Sequence, residues 1–326
     1  MSDLDLTIAL ERYDRHVPFF MRSVAPPEGV HLTALEVGVT FPCRDGRDRH
    51  RRFVRDKEFD IAETSLSSHV IAVSRGEPFV GIPVFPRRLF SQNHILVNAG
   101  AGIRTPKDLE GKRVIVTAFQ VTMTVLALGD LKFEYGVSPD KVHWLLAQEE
   151  VMPLGARAGY SVEVLAPGAD AGEMLISGEA DAMIFPHPPA NVLGAADRVR
   201  PLFAERRAES LRYFTKYGYY PIMHLLAFQK PVLDAHPELA RAIGEMWEAA
   251  KHQANHFYED PGYANLAFAH NEFEDQRDAM GGDPWPSGLA ANRANLERFI
   301  DTMADQGLID APLPVEALFH PSMLET

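Results

Sequence analysis

The sequence contains a single cysteine, Cys43, among its 326 residues. One cysteine excludes a disulfide within the chain and any metal site built from a cluster of thiolates. No stretch reaches the roughly 18 uncharged apolar residues that a membrane-spanning helix needs. We therefore expect neither a disulfide scaffold nor an integral membrane protein.

Basic residues are few relative to acidic ones, with 32 Lys and Arg against 45 Asp and Glu and a net charge of −13. This balance argues against nucleic acid or an anionic membrane surface as a partner, but it permits a local basic pocket for a small anion. The N-terminal stretch MSDLDLTIAL has acids and no basic segment, unlike a secretory signal. We therefore expect a cytoplasmic protein.

The length gives room for two domains, and the sequence has no repeats or low-complexity segments. Short apolar stretches such as 4–10, 30–39, 79–84 and 94–98 read as strands, and helical patterns lie between many of the later ones. This alternation predicts an α/β fold with mainly parallel sheets. The C-terminal part is predicted to be mainly helical, notably over 237–258 and 288–305.

The stretch from Phe59 to Phe90 is the most informative part of the chain. We expect a strand end over 59–62, a polar turn over 63–68, a helix from about Ser67 to Arg75, and a strand over 79–84 ended by Pro86. A hydroxyl-rich turn at the start of a helix offers backbone N–H groups and a positive dipole end. The turn is therefore suited to holding a carboxylate.

Five polar loops follow predicted strands, and ligands of α/β sheets bind outside the carboxyl ends of the strands. These loops are 14–16, 63–68, 87–94, 119–124 and 186–189. Because they are scattered along the sequence, we interpret them as the walls of a cleft shared by two lobes.

Several phrases resemble a known fold and family. HILVNAGAGIRTPKDLEGKRVIV and SGEADAMIFPHPP resemble the type II periplasmic-binding-protein fold. FDIAETSLSS, IPVFPRR, EYGV, HW, QEE, PIMH and GDPWPSGLAANRANLERFI resemble the 4,5-dihydroxyphthalate decarboxylase family. The likeness covers almost the whole chain.

The resemblance implies a two-lobed type II periplasmic-binding-protein-like fold with the ligand cleft between the lobes. One lobe would comprise 1–97 and 225–326, and the other 98–224. It also implies a carboxy-lyase of phthalate degradation that converts a hydroxylated aromatic acid into protocatechuate or a related phenol and CO2. No cofactor is expected, because the substrate's own hydroxyl group supplies electron density to the ring.

Three residues are candidates for proton transfer: Glu63, His224 and His187. Glu63 follows a predicted strand and faces the expected cleft, although a helix-capping role is equally compatible with its position. His224 ends the PIMH phrase, and a structural role stays open for it. The prolines around His187 fix its backbone and lower the entropic cost of presenting its side chain.

Substrate-binding candidates share donors suited to an anionic or phenolic oxygen. They are Arg15, His16, Ser65, Ser67, Arg88, Thr122 and Thr124. Arg88 is the preferred carboxylate clamp, since a guanidinium binds a carboxylate through two parallel hydrogen bonds. We expect its neighbour Arg87 to be solvated, and the basic run over 44–57 to form a solvated helix face.

No metal site is predicted, since the pair His252 and His256 has helical spacing but no evident third ligand. Two other functions stay open. One is a non-catalytic solute-binding protein for an aromatic or other small organic acid, because fold does not fix function. The other is a protein of the same fold acting on a different small acid. The sequence is compatible with a homo-oligomer.

Overall fold

The computed structural model describes residues 4–39, 46–154 and 159–326, so Cys43 lies outside the described residues. The chain folds into two compact units. The first comprises Met1–Arg88, Ile222–Arg298 and Leu313–Thr326, and the second comprises Leu89–Pro221 and Phe299–Pro312. The prediction from the sequence assigned 299–312 to the first lobe, whereas these residues belong to the second unit here. The limits of the predicted lobes stay a prediction.

The sheet of the first unit contains five strands. They are β1 (Leu4–Leu10), β2 (Val30–Glu36), β3 (Ile61–Ser65), β4 (Phe79–Arg88) and β11 (Ile222–Gln229). Their order across the sheet is β2-β1-β3-β11-β4. β1 is parallel to β2 and β3, whereas β11 is antiparallel to β3 and β4.

β4 continues to Arg88, although the sequence predicted that Pro86 would end it. A proline lacks a backbone N–H, but β4 is an edge strand and needs fewer donors than a central strand. Its pairing with β11 shifts twice: between Ile222 and His224, where β11 contains the extra residue, and between His224 and Leu226, where 82–87 of β4 contain the extra residues. This irregularity brings Arg87 opposite His224.

The helices of the first unit cover this sheet. They are α1 (Val17–Phe20), α2 (Arg49–Val54), α3 (Leu66–Ser74), α8 (Lys230–Ala235), α9 (Leu239–Glu259) and α10 (Ala269–Met280). α9 buries one apolar face, including Ile243, Trp247 and Ala250, against the strand residues Ile8 and Phe228 of the same core cluster. The burial of these side chains fixes the sheet on which the candidate site is built.

The second unit has its own sheet of six strands. They are β5 (Ile95–Asn98), β6 (Arg113–Val116), β7 (His143–Leu146), β8 (Ser161–Val164), β9 (Ala182–Ile184) and β10 (Val199–Pro201). Their order is β10-β5-β9-β6-β7-β8. β6 is parallel to β7 and β9, whereas β5 is antiparallel to β9 and β10.

The helices of the second unit are α4 (Thr122–Phe133), α5 (Ala171–Ser177), α6 (Ala190–Gly194) and α7 (Arg206–Tyr217). The last α-helix, α11 (Arg293–Asp305), begins in the first unit and continues in the second. Each sheet is mixed but mainly parallel, as expected: among the described strands, β11 in the first sheet and β5 in the second run opposite to the others. No helix in the described ranges is long and apolar enough to cross a membrane.

Candidate active site

The topology of the first unit brings four polar segments to one edge of its sheet. The carboxyl ends of β1, β3 and β4 and the amino end of β11 all meet there, because β11 runs opposite to the other three. Glu11, Glu63, Arg87 and His224 lie on these segments. This edge is where ligands of open α/β sheets bind.

Strand register places Glu63 and His224 on the same face of the sheet and brings Arg87 opposite His224. His224 lies opposite Ser65 on one side and opposite Arg87 on the other. Glu63 precedes Ser65 by two positions and therefore points to the same face as Ser65. The neighbouring ends of three strands thus present Glu63, His224 and Arg87 together.

Glu63 is fully buried inside β3, whereas the sequence predicted that it would begin the polar turn over 63–68. Its Oε1 is hydrogen-bonded to Nδ1 of His224, and its Oε2 accepts from the backbone N–H of Glu11 at 3.1 Å. Burial opposes its ionisation, but Arg49 and then His224 hold the pKa of Glu63 well below its ordinary value. Glu63 is therefore a buried, ionised carboxylate.

Arg49 is the cation that makes this possible. It is 2% exposed, donates from Nε to the carbonyl of Glu63 at 2.7 Å, and holds Nη2 3.3 Å from the Glu63 carboxylate. Its Nη1 donates to Glu11 at 3.1 Å and to the carbonyl of Val37 at 2.6 Å. The ion pairs of this guanidinium with Glu63 and Glu11 compensate the cost of burying two carboxylates.

His224 has one ring nitrogen engaged and one available. Nδ1 is bonded to Glu63, whereas Nε2 takes part in no hydrogen bond with any described residue. Burial lowers the pKa of His224 to about 4, although Glu63 opposes this shift. The side chain is therefore a neutral imidazole at pH 7 with a free nitrogen and a carboxylate behind it, an arrangement suited to general acid–base chemistry.

His16 and His50 also lie in this cluster, but their nitrogens support the structure. His16 is fully buried, and its Nδ1 bonds to the carbonyl of Glu11 at 2.9 Å while its Nε2 accepts from the Trp247 indole at 3.2 Å. His50 accepts from the backbone N–H of Ser65 at 3.1 Å, and its ring lies 4.9 Å from that of His224. Both nitrogens of His16 are therefore occupied, and the substrate contact predicted for it stays a prediction.

Ser65 and Ser67 stabilise the start of α3. Ser65 is its N-cap and accepts from the backbone N–H of Ser68, and the hydroxyl oxygens of Ser65 and Ser67 lie 3.0 Å apart. Both residues are buried. The capping role is thus present for Ser65, whereas for Glu63 the structure gives an ion-paired strand position instead.

The two neighbouring arginines of β4 have different surroundings, and the carboxylate contact predicted for Arg88 stays a prediction. Arg88 is 1% exposed, and its Nη2 donates to the carbonyl of Pro286 at 2.9 Å and to the Asn292 side chain at 2.6 Å. It therefore ties β4 to the segment around 286–292. Arg87 is half-buried and has no hydrogen bond or ion pair with any described residue.

Tyr13 and Arg15 complete this edge. The Tyr13 hydroxyl is buried and finds no hydrogen-bond partner in the described chain. The Arg15 guanidinium lies between the Tyr13 and Trp285 rings, 4.3 Å from each centroid, and its Nε donates to the carbonyl of Pro86 at 2.7 Å. Arg15 thus fixes the Tyr13 ring next to the end of β4.

The other predicted residues belong to the second unit. Thr122 and Thr124 are buried in the first turn of α4, and the Thr124 hydroxyl has no partner among the described residues. His187 is exposed on the loop after β9. In the loop before α4, the carboxylate of Glu150 accepts from the backbone N–H groups of Phe119 at 2.7 Å and Gln120 at 3.0 Å.

A cavity of about 790 Å³ lies elsewhere in the first unit, between the end of α9, α10 and the segment around Trp285. Its walls include Arg15, Lys251, Tyr258 and Phe273, but not Glu63, Arg87 or His224. The cavity is therefore separate from the strand-end cluster, although its wall residue Arg15 also contacts Tyr13 at that edge of the sheet. No described group of three or more His, Cys, Asp or Glu side chains is arranged to hold a metal ion.

Comparison with known proteins identifies the family. The family model described as NMT1/THI5 like matches residues 34–262, which is more than half of the chain. A 4,5-dihydroxyphthalate decarboxylase from Comamonas testosteroni is 30% identical, with 100% of this chain and 99% of the relative aligned. The chain belongs to this decarboxylase family. A second family member, from Pseudomonas putida, is 27% identical over 67% of this chain and 84% of its own length.

The fold of this chain is similar to that of a protein of known structure. The alkanesulfonate-binding protein SsuA from Xanthomonas axonopodis pv. citri superposes with a TM-score of 0.60 at 14% identity, covering 98% of this chain and 99% of SsuA. At this identity the likeness bears on the fold alone. It confirms the predicted two-lobed, periplasmic-binding-protein-like α/β fold.

The sequence did not identify Tyr13 or Arg49 as members of this site, and it did not predict that Arg87 would be half-buried beside His224. Arg49 was included in a basic run interpreted as a solvated helix face, which does describe its neighbour Arg51. A signal was present: Arg49 and Phe53 have i, i+4 spacing and are the two buried residues of α2. For Tyr13 and Arg87 the sequence carried no such signal, because their surroundings depend on strand register.

Proposed function

We propose that this protein is a cofactor-independent decarboxylase of a hydroxylated aromatic acid of the phthalate type, giving protocatechuate or a related phenol and CO2. The observation that carries the proposal is the bonded pair Glu63 and His224, whose free Nε2 lies at the ligand-binding edge of the sheet. Membership of the 4,5-dihydroxyphthalate decarboxylase family supports the same reaction. The cytoplasmic location expected from the sequence stays part of this proposal.

His224 is suited to moving the proton that the reaction requires. Because its pKa lies at about 4, the imidazole is unprotonated at pH 7 and can accept the proton of a phenolic hydroxyl. The ionised carboxylate of Glu63 fixes the ring and stabilises the imidazolium that forms. An electron-rich phenolate ring results.

The bond changes balance with one proton taken from water, because loss of CO2 from a carboxylate consumes one proton. The hydroxyl oxygen loses a proton to His224, and the ring carbon that carries the carboxylate gains it. The carbon–carbon bond to the carboxylate then breaks, its electron pair returns to the ring, CO2 leaves, and the resulting phenolate takes up a proton from water. A buried site favours this step, since an uncharged product replaces a carboxylate that water would otherwise stabilise.

The test is an assay of the purified protein with 4,5-dihydroxyphthalate that follows CO2 and the phenolic product. Glu63→Gln and His224→Asn should each lower kcat by roughly 100-fold or more and change KM far less, since the loss of a general acid–base group costs about 10²–10⁴ in rate. Glu77→Gln and His252→Asn are matched controls, because both positions are exposed. Their kinetics should equal those of the unchanged protein.

Two outcomes would contradict the proposal. If the unchanged protein binds hydroxyphthalates or hydroxybenzoates tightly and returns them unaltered, it is a solute-binding protein. If it turns over substrate and both Glu63→Gln and His224→Asn keep full kcat, the reaction is right and the proton-transfer residues are wrong.

A further inference from the structure

Arg87 is a cation without an ion-pair partner among the described residues, and it lies beside the cluster in which Arg49 pairs with Glu63 and Glu11. Arg49 compensates Glu63 and Glu11, and Arg88 on the same strand bonds within the fold. Arg87 is half-buried, and no described residue accepts a hydrogen bond from it. A guanidinium has five donors, so this side chain retains its full capacity to bind an anion.

Tyr13 adds an unused hydroxyl to the same place. A buried hydroxyl without a partner costs about 1–3 kcal/mol, so an unpaired one beside an available cation points to a group that binds there. Its ring is held between the Arg15 guanidinium at 4.3 Å and the His16 ring at 5.2 Å. The pKa of Tyr13 is raised by burial and by Glu63, so the hydroxyl stays protonated and can donate.

The chain itself keeps these two residues adjacent. Arg15, two positions after Tyr13, donates to the carbonyl of Pro86, the residue before Arg87. Arg87 lies opposite His224 in the pairing of β4 with β11, and its charge acts on both Tyr13 and His224. Three groups with spare hydrogen-bonding capacity therefore lie together: the Tyr13 hydroxyl, the Arg87 guanidinium and Nε2 of His224.

We infer that Arg87 and Tyr13 are the substrate-recognition pair of this site: Arg87 binds the carboxylate that the aromatic acid keeps, and Tyr13 donates a hydrogen bond to a second oxygen of the same molecule. The inference rests on the proposed function. It replaces Arg88, whose donor Nη2 already bonds to Pro286 and Asn292, as the carboxylate clamp.

The chemistry of decarboxylation indicates which carboxylate Arg87 holds. An ion pair stabilises a carboxylate in the bound substrate, and the same pair would oppose its departure as uncharged CO2. Arg87 therefore holds the group that stays on the ring. The product keeps that carboxylate, so product and substrate should share this contact.

The test measures binding by calorimetry and does not require turnover. The probes are protocatechuate, which carries one carboxylate, and catechol, which carries none. Arg87→Met should weaken protocatechuate binding by about 10- to 100-fold and Tyr13→Phe by about 3- to 10-fold, because a hydrogen bond to a charged group contributes more than a neutral one. Arg87→Lys should lie between Arg87→Met and the unchanged protein.

Controls separate recognition from folding. Arg55→Met removes an exposed arginine and Tyr263→Phe alters an exposed tyrosine, so neither should change any Kd. Catechol should bind Arg87→Met as it binds the unchanged protein. Circular dichroism should be the same for all variants, since Arg87 and the Tyr13 hydroxyl make no hydrogen bonds with described residues.

The assignment is overturned if Arg87→Met leaves the protocatechuate Kd within twofold of that of the unchanged protein, or if this substitution weakens catechol binding by the same factor. It is also overturned if protocatechuate does not bind the unchanged protein. Failure of the proposed function looks different. In that case protocatechuate binding depends on Arg87 as expected, but no hydroxyphthalate or hydroxybenzoate is decarboxylated.

Discussion

Two strand-end loops, one in each unit, were predicted from the sequence to hold the substrate anion, and the structure shows a carboxylate of the protein itself in both. In the first of these segments the carboxylate is that of Glu63, which lies within β3 and is held by Arg49 and His224. Before α4 it is that of Glu150, held by the backbone N–H groups of Phe119 and Gln120. The two carboxylates differ in the groups described as donating to them, which are side chains for Glu63 and backbone amides for Glu150.

A carboxylate next to a titratable side chain changes the pKa of that side chain, whereas the backbone amides that donate to Glu150 do not titrate near neutral pH. Glu63 acts on the His224 imidazole, and the Arg87 guanidinium lies opposite that residue; within the described part of the chain, neither Nε2 of His224 nor the guanidinium has a hydrogen-bond partner. The amides around Glu150 have no proton to exchange at neutral pH. We therefore propose that the first segment combines binding and proton transfer, and we interpret the second as scaffold.

Replacing Arg49 tests this comparison most strongly. Arg49→Met leaves the carboxylates of Glu63 and Glu11 buried without their cation, and breaking such a pair costs about 3–5 kcal/mol. We expect the free energy of unfolding in urea to fall by that amount. Arg51→Met, on the same helix but exposed, should change it by less than about 0.5 kcal/mol.

Arg49→Lys keeps the charge but loses the hydrogen bonds of the guanidinium to the Glu63 and Val37 carbonyls, so it should be intermediate. Equal stability of Arg49→Met and Arg51→Met would show that the ion pairs of this cluster are not coupled to the fold. The contrast between the two loops would then fail, because the Glu63 carboxylate would not depend on its cation.

The buried histidines should make the first unit sensitive to acid. Burial lowers the pKa of His16, His69 and His224 to about 4 and that of His50 to about 3. The unfolded chain takes up these protons first, so stability is complete above about pH 6.5 and is lost as the pH falls towards 4. Each group contributes at most about 1.4 kcal/mol per pH unit in that window.

Urea unfolding at pH 7.5, 6 and 5 measures this slope. His224→Asn should reduce it by up to about 1.4 kcal/mol per pH unit, and the exposed His252→Asn should leave it unchanged. An unaltered slope in His224→Asn would mean that this imidazole titrates normally in the folded protein. It would then carry a charge below pH 6.5 and could not act as the proposed base there.

The fold could be predicted from local pattern and resemblance, since the alternation of strands and helices needs only the sequence. Predicted and observed elements agree well for 4–10, where β1 lies, and for 237–258, where α9 runs from Leu239 to Glu259. β4 was predicted too short because the rule against proline in strands is relaxed at a sheet edge. The short strands β8 and β10 gave too little periodicity to be recognised.

The site was harder to predict because its side chains are selected by register. The sequence indicated Glu63 and His224 separately, but their hydrogen bond follows from the antiparallel pairing of β3 with β11. The shift between β4 and β11 decides that Arg87 lies opposite His224, while Arg88 lies opposite Ile222. An arginine pair in a sequence gives no information on which member will be buried among partners.

Glu150→Ala is the smallest effect and tests the scaffold half of the comparison. Losing a carboxylate that accepts two backbone N–H bonds should lower the free energy of unfolding by about 1–2 kcal/mol. Its exposed neighbour Glu149→Ala is the control and should be neutral. Because these amides hold no exchangeable proton, kcat should fall less than about threefold, against the roughly 100-fold or larger loss expected for Glu63→Gln. A loss of kcat in Glu150→Ala as large as that in Glu63→Gln would assign the second loop to the chemistry and remove the distinction between the two.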